Sequence, residues 1–133
     1  MTAAGPTRAV RRAVWVRDDG SCQWCGYGCA EGVGDLQHRR ARGSGGSSAI
    51  DTNLAGNLVL MHRECHTRVE SHRDEALFRG FNVRQGVTSS RVPLQCHRGF
   101  WWLLNDEGGK ACIAEGLAHE YLALFGMLPG AIS

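Results

Sequence analysis

The sequence predicts an α+β domain with a modest core, stapled by a structural zinc. Three features of the 133-residue chain lead there. Cys22-Gln-Trp-Cys25 and His62-Arg-Glu-Cys65 form two pairs with two residues between the members of each. Such spacing turns four ligands toward one tetrahedral zinc. Short apolar runs of strand character alternate with helix-like segments and Gly-rich turns. Aromatic residues make up only 8% of the chain, so the core is small and a staple adds stability that apolar burial does not.

The elements follow in order. Thr7 to Arg17 fits a short amphipathic helix capped by Thr7. Val10, Val14 and the Arg17 stem share one side, and Arg8, Arg11 and Arg12 form a basic one. Asp18-Asp19-Gly20 ends the helix as a turn. The Cys22–Cys25 knuckle comes next, with Cys29 in the same loop as a bystander thiol; its other role is that of fourth ligand in place of His62. Leu36 to Arg40 reads as a short strand, residues 43–48 as a Gly/Ser loop, and Asn57 to Met61 as a second strand or strand-like turn. His66 to Phe78 reads as a helix stopped at Gly80. Arg91 to Leu104 predicts a β-hairpin with one of the Trp101 and Trp102 rings inward and the other outward. Asn105 to Gly109 is a turn, and Ile113 to Phe125 a last helix with Leu117, Tyr121, Leu124 and Phe125 on its apolar side. The whole reads as one domain over 1–133, its core about 20–80, with 90–133 as an added hairpin and helix.

No apolar run is long enough for a membrane span, and the first residues lack the apolar segment of a signal peptide. The expected location is therefore the cytoplasm, where, of the six Cys, Cys22, Cys25 and Cys65 beside His read as metal ligands rather than disulfide partners. Net charge is only +2, but its distribution is uneven. Every Arg precedes residue 99, whereas the remainder carries Lys110 against Asp106, Glu107, Glu115 and Glu120. Arg presents a planar fork that suits phosphate oxygens; a codon bias gives the same preference of Arg over Lys. Arg39, Arg40 and Arg42, beside Gly43, Gly45 and Gly46, form a basic Gly-rich loop, the expected element for gripping DNA.

His38 in LQHRR, Asn57 in NLVLM and His66 directly after Cys65 complete a pattern that resembles the HNH endonucleases. The segments QHRRARGSGG and VESHRDEALFRGF are similar to small HNH proteins of actinobacterial phages and prophages. The resemblance covers Cys22 to His72. It implies a ββα-metal core that holds one catalytic divalent cation, Mg2+ or Mn2+, apart from the structural zinc. It implies double-stranded DNA as substrate and, in phage relatives, the DNA-packaging terminase as a partner. On this mapping His38 is the general base, His66 a cation ligand, and Asn57 the residue that fixes the loop orienting His38. The residue before the base is often Asp or His in the family, and here it is Gln37, which brings an amide oxygen but no charge. Glu70, four residues after His66 on a helix, is the candidate to supply that charge; pairing with Arg63 or Arg73 is its other role. The rival reading is a zinc-stapled DNA-binding module without catalysis. Oligomeric state follows from none of these features.

Overall fold

The computed structural model describes residues 5–30, 34–42 and 49–127. The Gly/Ser loop expected at 43–48 lies outside the described residues. The architecture is mixed, with helices around two small antiparallel sheets. No helix among the described residues is long and apolar enough to cross a membrane.

Helix α1 (Arg8–Arg17) is capped by Thr7, whose side chain accepts from the Val10 N–H at 3.2 Å. Its end is sharp because Asp19 and Gly20 both take positive φ, 56° and 62°. The helix buries Val14 and, at its last turn, Arg17. The Arg17 guanidinium pairs with Asp18 at 2.8 Å and donates to the Ala55 and Leu58 carbonyls at 2.8 and 2.6 Å. Asp18 in turn accepts from the Leu60 N–H at 2.9 Å. A buried charge persists when it is paired and fully hydrogen-bonded, and this pair binds α1 to the strand behind it.

That strand is β2 (Leu58–Met61), which pairs antiparallel with β1 (Asp35–His38) in the register Gln37↔Val59 and His38↔Leu58. All four β2 residues are buried. Successive side chains of a strand point to opposite faces. Val59 and Met61 accordingly enter one core cluster, with Cys65, Val69, Phe81, Leu94 and Leu104. Leu58 and Leu60 enter another, with Val14 and Ala55. Covering β2 on both sides explains why it reads as an unbroken apolar run. Asn57 stands just before it, in a 3-10 turn spanning Ala55–Asn57.

The chain passes from β2 straight into α2 (Arg63–Ser71), then α3 (Arg73–Phe78). The single helix expected over 66–78 is corrected: it begins earlier and breaks at His72, which sits at φ −117° and ψ 62°. Gly80 is required after it. Its φ is +79°, and a Cβ there would lie 2.0 Å from the Pro93 carbonyl oxygen.

A second sheet runs β3 (Leu94–Gln95), β4 (Trp101–Leu104), β5 (Lys110–Ile113). The turn before β5 is organised by Asn105, whose Oδ1 accepts from the Glu107 and Gly109 N–H groups. Trp101 is buried against Phe78 and His119, while Trp102 carries the Lys110 ammonium over its half-exposed ring. The last helix, α4, spans Glu115–Leu124, so Ile113 belongs to a strand and not to the helix. The buried side of α4 is also not the expected one. Ala118 and Leu122 are buried, whereas Leu117 and Leu124 are exposed.

Candidate functional site

Cys22 and Cys25 lie in the tight loop between α1 and β1, closed by a Gly26 N–H to Cys22 carbonyl bond of 2.7 Å. His62 is the N-cap residue of α2, and Cys65 lies in its first turn. The side-chain ligand atoms of Cys22, Cys25, His62 and Cys65 all lie within 4.8 Å of one another. Cys29 packs beside this group without belonging to it. His62 makes no capping bond with its side chain, since both ring nitrogens are engaged elsewhere. Nδ1 faces Cys25 Sγ at 3.3 Å, and Nε2 lies 3.0 Å from the Gly28 carbonyl. A carbonyl only accepts, so Nε2 carries the proton and Nδ1 keeps a lone pair turned into the cluster. Holding the far nitrogen of a ligating His in this way is the usual support of a metal site.

The electrostatics fit the same conclusion. Burial works against the Cys22 thiolate, but backbone N–H groups at His62, Cys25 and Trp24 outweigh it and its pKa falls. Burial, then the charge of Cys22, pushes the Cys65 thiol up to about 12. Thiolates this close repel, and a divalent cation replaces that repulsion by attraction. A Cys3His cluster of this geometry can hold a structural metal such as zinc.

His38 ends β1, and its Nε2 lies 2.8 Å from Asn53 Oδ1. Asn57 is fully buried and ties together the two ends of the segment between the strands. Its Oδ1 accepts from the Arg40 N–H at 2.8 Å and from the Ser89 hydroxyl, and its Nδ2 donates to the Thr52 carbonyl at 2.8 Å. The Asn57 carbonyl also accepts from the Arg39 N–H at 2.8 Å, so Asn57 holds the chain just beyond His38 together with the turn that carries Asn53.

Compared with known proteins, the chain matches no family model, no curated protein and no solved structure. Function has to be read from the side chains.

His66 follows Cys65 on α2, with Nε2 3.6 Å from a Glu70 carboxylate oxygen. Two donor atoms at that separation can share one cation. Gln37, directly before His38, is 7% exposed, and its Oε1 has no hydrogen-bond partner among the described residues; the same holds for His66 Nδ1. An orphaned buried oxygen is costly unless a donor or cation satisfies it.

Two of the three expected DNA-gripping arginines are corrected. Arg39 is 1% exposed, and its guanidinium donates to the carbonyls of Gly80, Gly56, Ser89 and Val92 at 2.6 to 2.9 Å. Arg40 is 4% exposed, pairs with Asp51 and donates to the Val87 carbonyl at 2.7 Å. Both are internal ties, because their guanidiniums are buried and turned to backbone oxygens and, for Arg40, to the Asp51 carboxylate. Arg42 is half-buried and keeps partners of its own. The exposed cations nearest the histidines in sequence are Arg63, one helical turn before His66 with its side chain 86% exposed, and Arg68. Asn53 is the functional candidate that sequence reading missed. Its one signal is an Asp-Thr-Asn turn ahead of Asn57.

Proposed function

We propose that the chain is a metal-dependent endonuclease of the HNH type, acting on the phosphodiester bonds of double-stranded DNA, with β1, β2 and α2 as a ββα-metal core beside a structural zinc. The observation that carries this reading is the antiparallel pairing of β1, which ends at His38, with β2, which leads directly into the helix where Glu70 lies 3.6 Å from the His66 ring. Gln37, His66 and Glu70 offer an amide oxygen, an imidazole and a carboxylate. This donor set suits Mg2+ or Mn2+, with Glu70 providing the charge that Gln37 lacks. The cation, when bound, supplies Lewis-acid stabilisation of charge on the scissile phosphate and the leaving oxygen.

His38 takes a proton from water as the water oxygen bonds to phosphorus and the bond from phosphorus to the 3′ oxygen breaks. The products are a 5′-phosphate and a 3′-hydroxyl, the leaving oxygen taking its proton from solvent. Imidazole suits this task because a neutral ring keeps one nitrogen lone pair to accept the proton while the other nitrogen is held by a partner. Asn57 and its turn keep His38 in place. Arg63, exposed on the same helix as His66, is suited to a phosphate oxygen.

The test is nicking of supercoiled plasmid across a Mn2+ titration. His38→Ala loses about 10²–10⁴ in rate with no rescue by metal, since added cation does not accept a proton. His66→Ala loses activity and regains part of it at high Mn2+, because Gln37 and Glu70 still recruit the ion weakly. Wild-type rates in His38→Ala remove the proposed base. Duplex binding by a wild-type chain that never nicks with any divalent metal favours the inactive zinc-stapled binding module, for which the uncharged Gln37 already argues.

A further inference from the structure

Three consecutive residues of the turn before β2 each grip a different part of the candidate site. Asp51 pairs with Arg40, the Thr52 carbonyl accepts from Asn57 Nδ2 at 2.8 Å, and Asn53 Oδ1 meets His38 Nε2 at 2.8 Å. The turn is closed by its own backbone, Leu54 N–H to Asp51 carbonyl at 3.1 Å and Asn57 N–H to Leu54 carbonyl at 3.0 Å. Asn53 is thus held from both sides, and its side chain has little freedom to leave the ring. We propose that Asn53 is the positioning residue of this site: its amide oxygen holds the His38 ring through Nε2–H and leaves Nδ1 as the atom that accepts a proton.

An amide oxygen only accepts, so the ring nitrogen facing it is the protonated one. The second nitrogen then has a lone pair in a fixed direction. Wrong-tautomer variants of other imidazole bases show how large this control is, with losses of about 10⁴ when the partner is exchanged for one that fixes the other form. The neighbouring charges do not substitute for Asn53, since Arg40 and Asp51 are spent on each other. Asn57 holds the backbone on both sides of the ring: it accepts from the Arg39 and Arg40 N–H groups at 2.8 Å each and donates to the Thr52 carbonyl beside Asn53. The bond to the ring itself comes from a residue outside the three-residue motif. The chemical consequence of this arrangement rests on the endonuclease reading; the arrangement itself does not.

Two readouts separate the two. The first is the ring-nitrogen NMR of His38, at one fixed pH, in wild type, Asn53→Ala and Asn53→Asp, all in the full zinc-loaded chain. Wild type and Asn53→Asp show a hydrogen-bonded Nε2–H and an unprotonated Nδ1, because amide and carboxylate oxygens both accept. Asn53→Ala loses the hydrogen-bonded Nε2–H signal and mixes the two tautomers. A ring tautomer that is the same in Asn53→Ala and wild type overturns the proposal, whether or not the chain cuts DNA. The second readout is plasmid nicking. Asn53→Ala lowers kcat at least tenfold with KM for DNA unchanged, and Asn53→Asp retains nicking. Wild-type nicking by Asn53→Ala also overturns the proposal. A wild-type chain that does not nick at all, yet shows the tautomer change, removes the endonuclease reading and leaves Asn53 as the residue that sets the His38 ring.

Discussion

Replacing Arg39 separates a phosphate contact from an internal tie. The residue has 1% exposure and four carbonyl partners, from Gly56, Gly80, Ser89 and Val92. Burial, with Arg17 nearby, lowers its pKa to about 9, so at neutral pH it remains a cation. Hydrogen bonds to a charged group contribute about 1.5–3 kcal/mol each. Four of them exceed the net effect, because removing the ion also removes several kcal/mol of desolvation penalty. Arg39→Met takes this donor from the Gly56, Gly80 and Val92 carbonyls at about 1–3 kcal/mol each, the Ser89 carbonyl keeping the Val92 N–H, and with the desolvation relieved the net cost is about 3–5 kcal/mol. Whole domains are stable by only about 5–15 kcal/mol, so the variant is folded but weak, with Tm lower by about 10–20 °C. Arg39→Lys recovers little, since one ammonium has three donors on a point and does not span four carbonyls. Thermal and urea unfolding of zinc-saturated protein measure this. DNA binding is then measured well below the midpoint, where both proteins are folded, and neither its affinity nor its salt slope changes. Unchanged stability together with a salt slope reduced by roughly 0.9 would refute the reasoning and return Arg39 to the DNA.

Two other outcomes follow from the same geometry. Freshly purified protein contains about one tightly bound zinc per chain, and Cys25→Ser loses it and unfolds or aggregates, as elemental analysis and circular dichroism report; folded protein without metal removes the staple. Asp51 titrates below the usual carboxylate range because it accepts hydrogen bonds from Arg40. The folded state therefore binds fewer protons than the unfolded one as pH falls. The stabilisation is complete above the ordinary carboxylate range and is lost as pH drops through the lowered value. Amide protection factors in residues 51–57, taken relative to the intrinsic exchange rate at each pH, fall on acidification in wild type, and Asp51→Asn flattens that dependence.

The parts of this molecule that were legible in the sequence are those set by local spacing. The Cys22/Cys25 and His62/Cys65 pairs sit two residues apart, and a tight loop or a helix start brings each pair together without help from the rest of the chain. The Thr7 cap and the Asp19-Gly20 stop are equally local. What escaped depends on distant partners. Arg39 beside a Gly-rich loop has the sequence of a solvated cation. Its burial is decided by carbonyls 17 to 53 residues away. The face of α4 follows fit rather than size: of the large apolar residues expected inward, Phe125 packs on the core, whereas Leu117 and Leu124 are exposed. The packed surface of Trp101, Val83 and Val92 instead admits the small Ala118, with Leu122 a turn later. Strand β5 is almost wholly exposed, so no inward and outward alternation marks it.

The candidate site is held from two directions by chemistry of different kinds. The Cys/His cluster anchors the start of α2, and His66 follows Cys65 immediately. Arg39, Arg40 and Asn57 instead tie the end of β1 and the turn at 51–54 to the segment from Gly80 to Val92, using backbone carbonyls, one carboxylate and one hydroxyl. His38 belongs to the second set through Asn53, and His66 to the first. Strand pairing of β1 with β2 is the mechanical link between them, since β2 leads directly into His62. In a domain with so little regular structure, buried guanidiniums do work that longer sheets do with their ladders. Each donates to carbonyls of irregular segments within the core. That is why Arg39 and Arg40, which adjoin His38, are spent inside the fold, while Arg63 and Arg68 on α2 stay exposed.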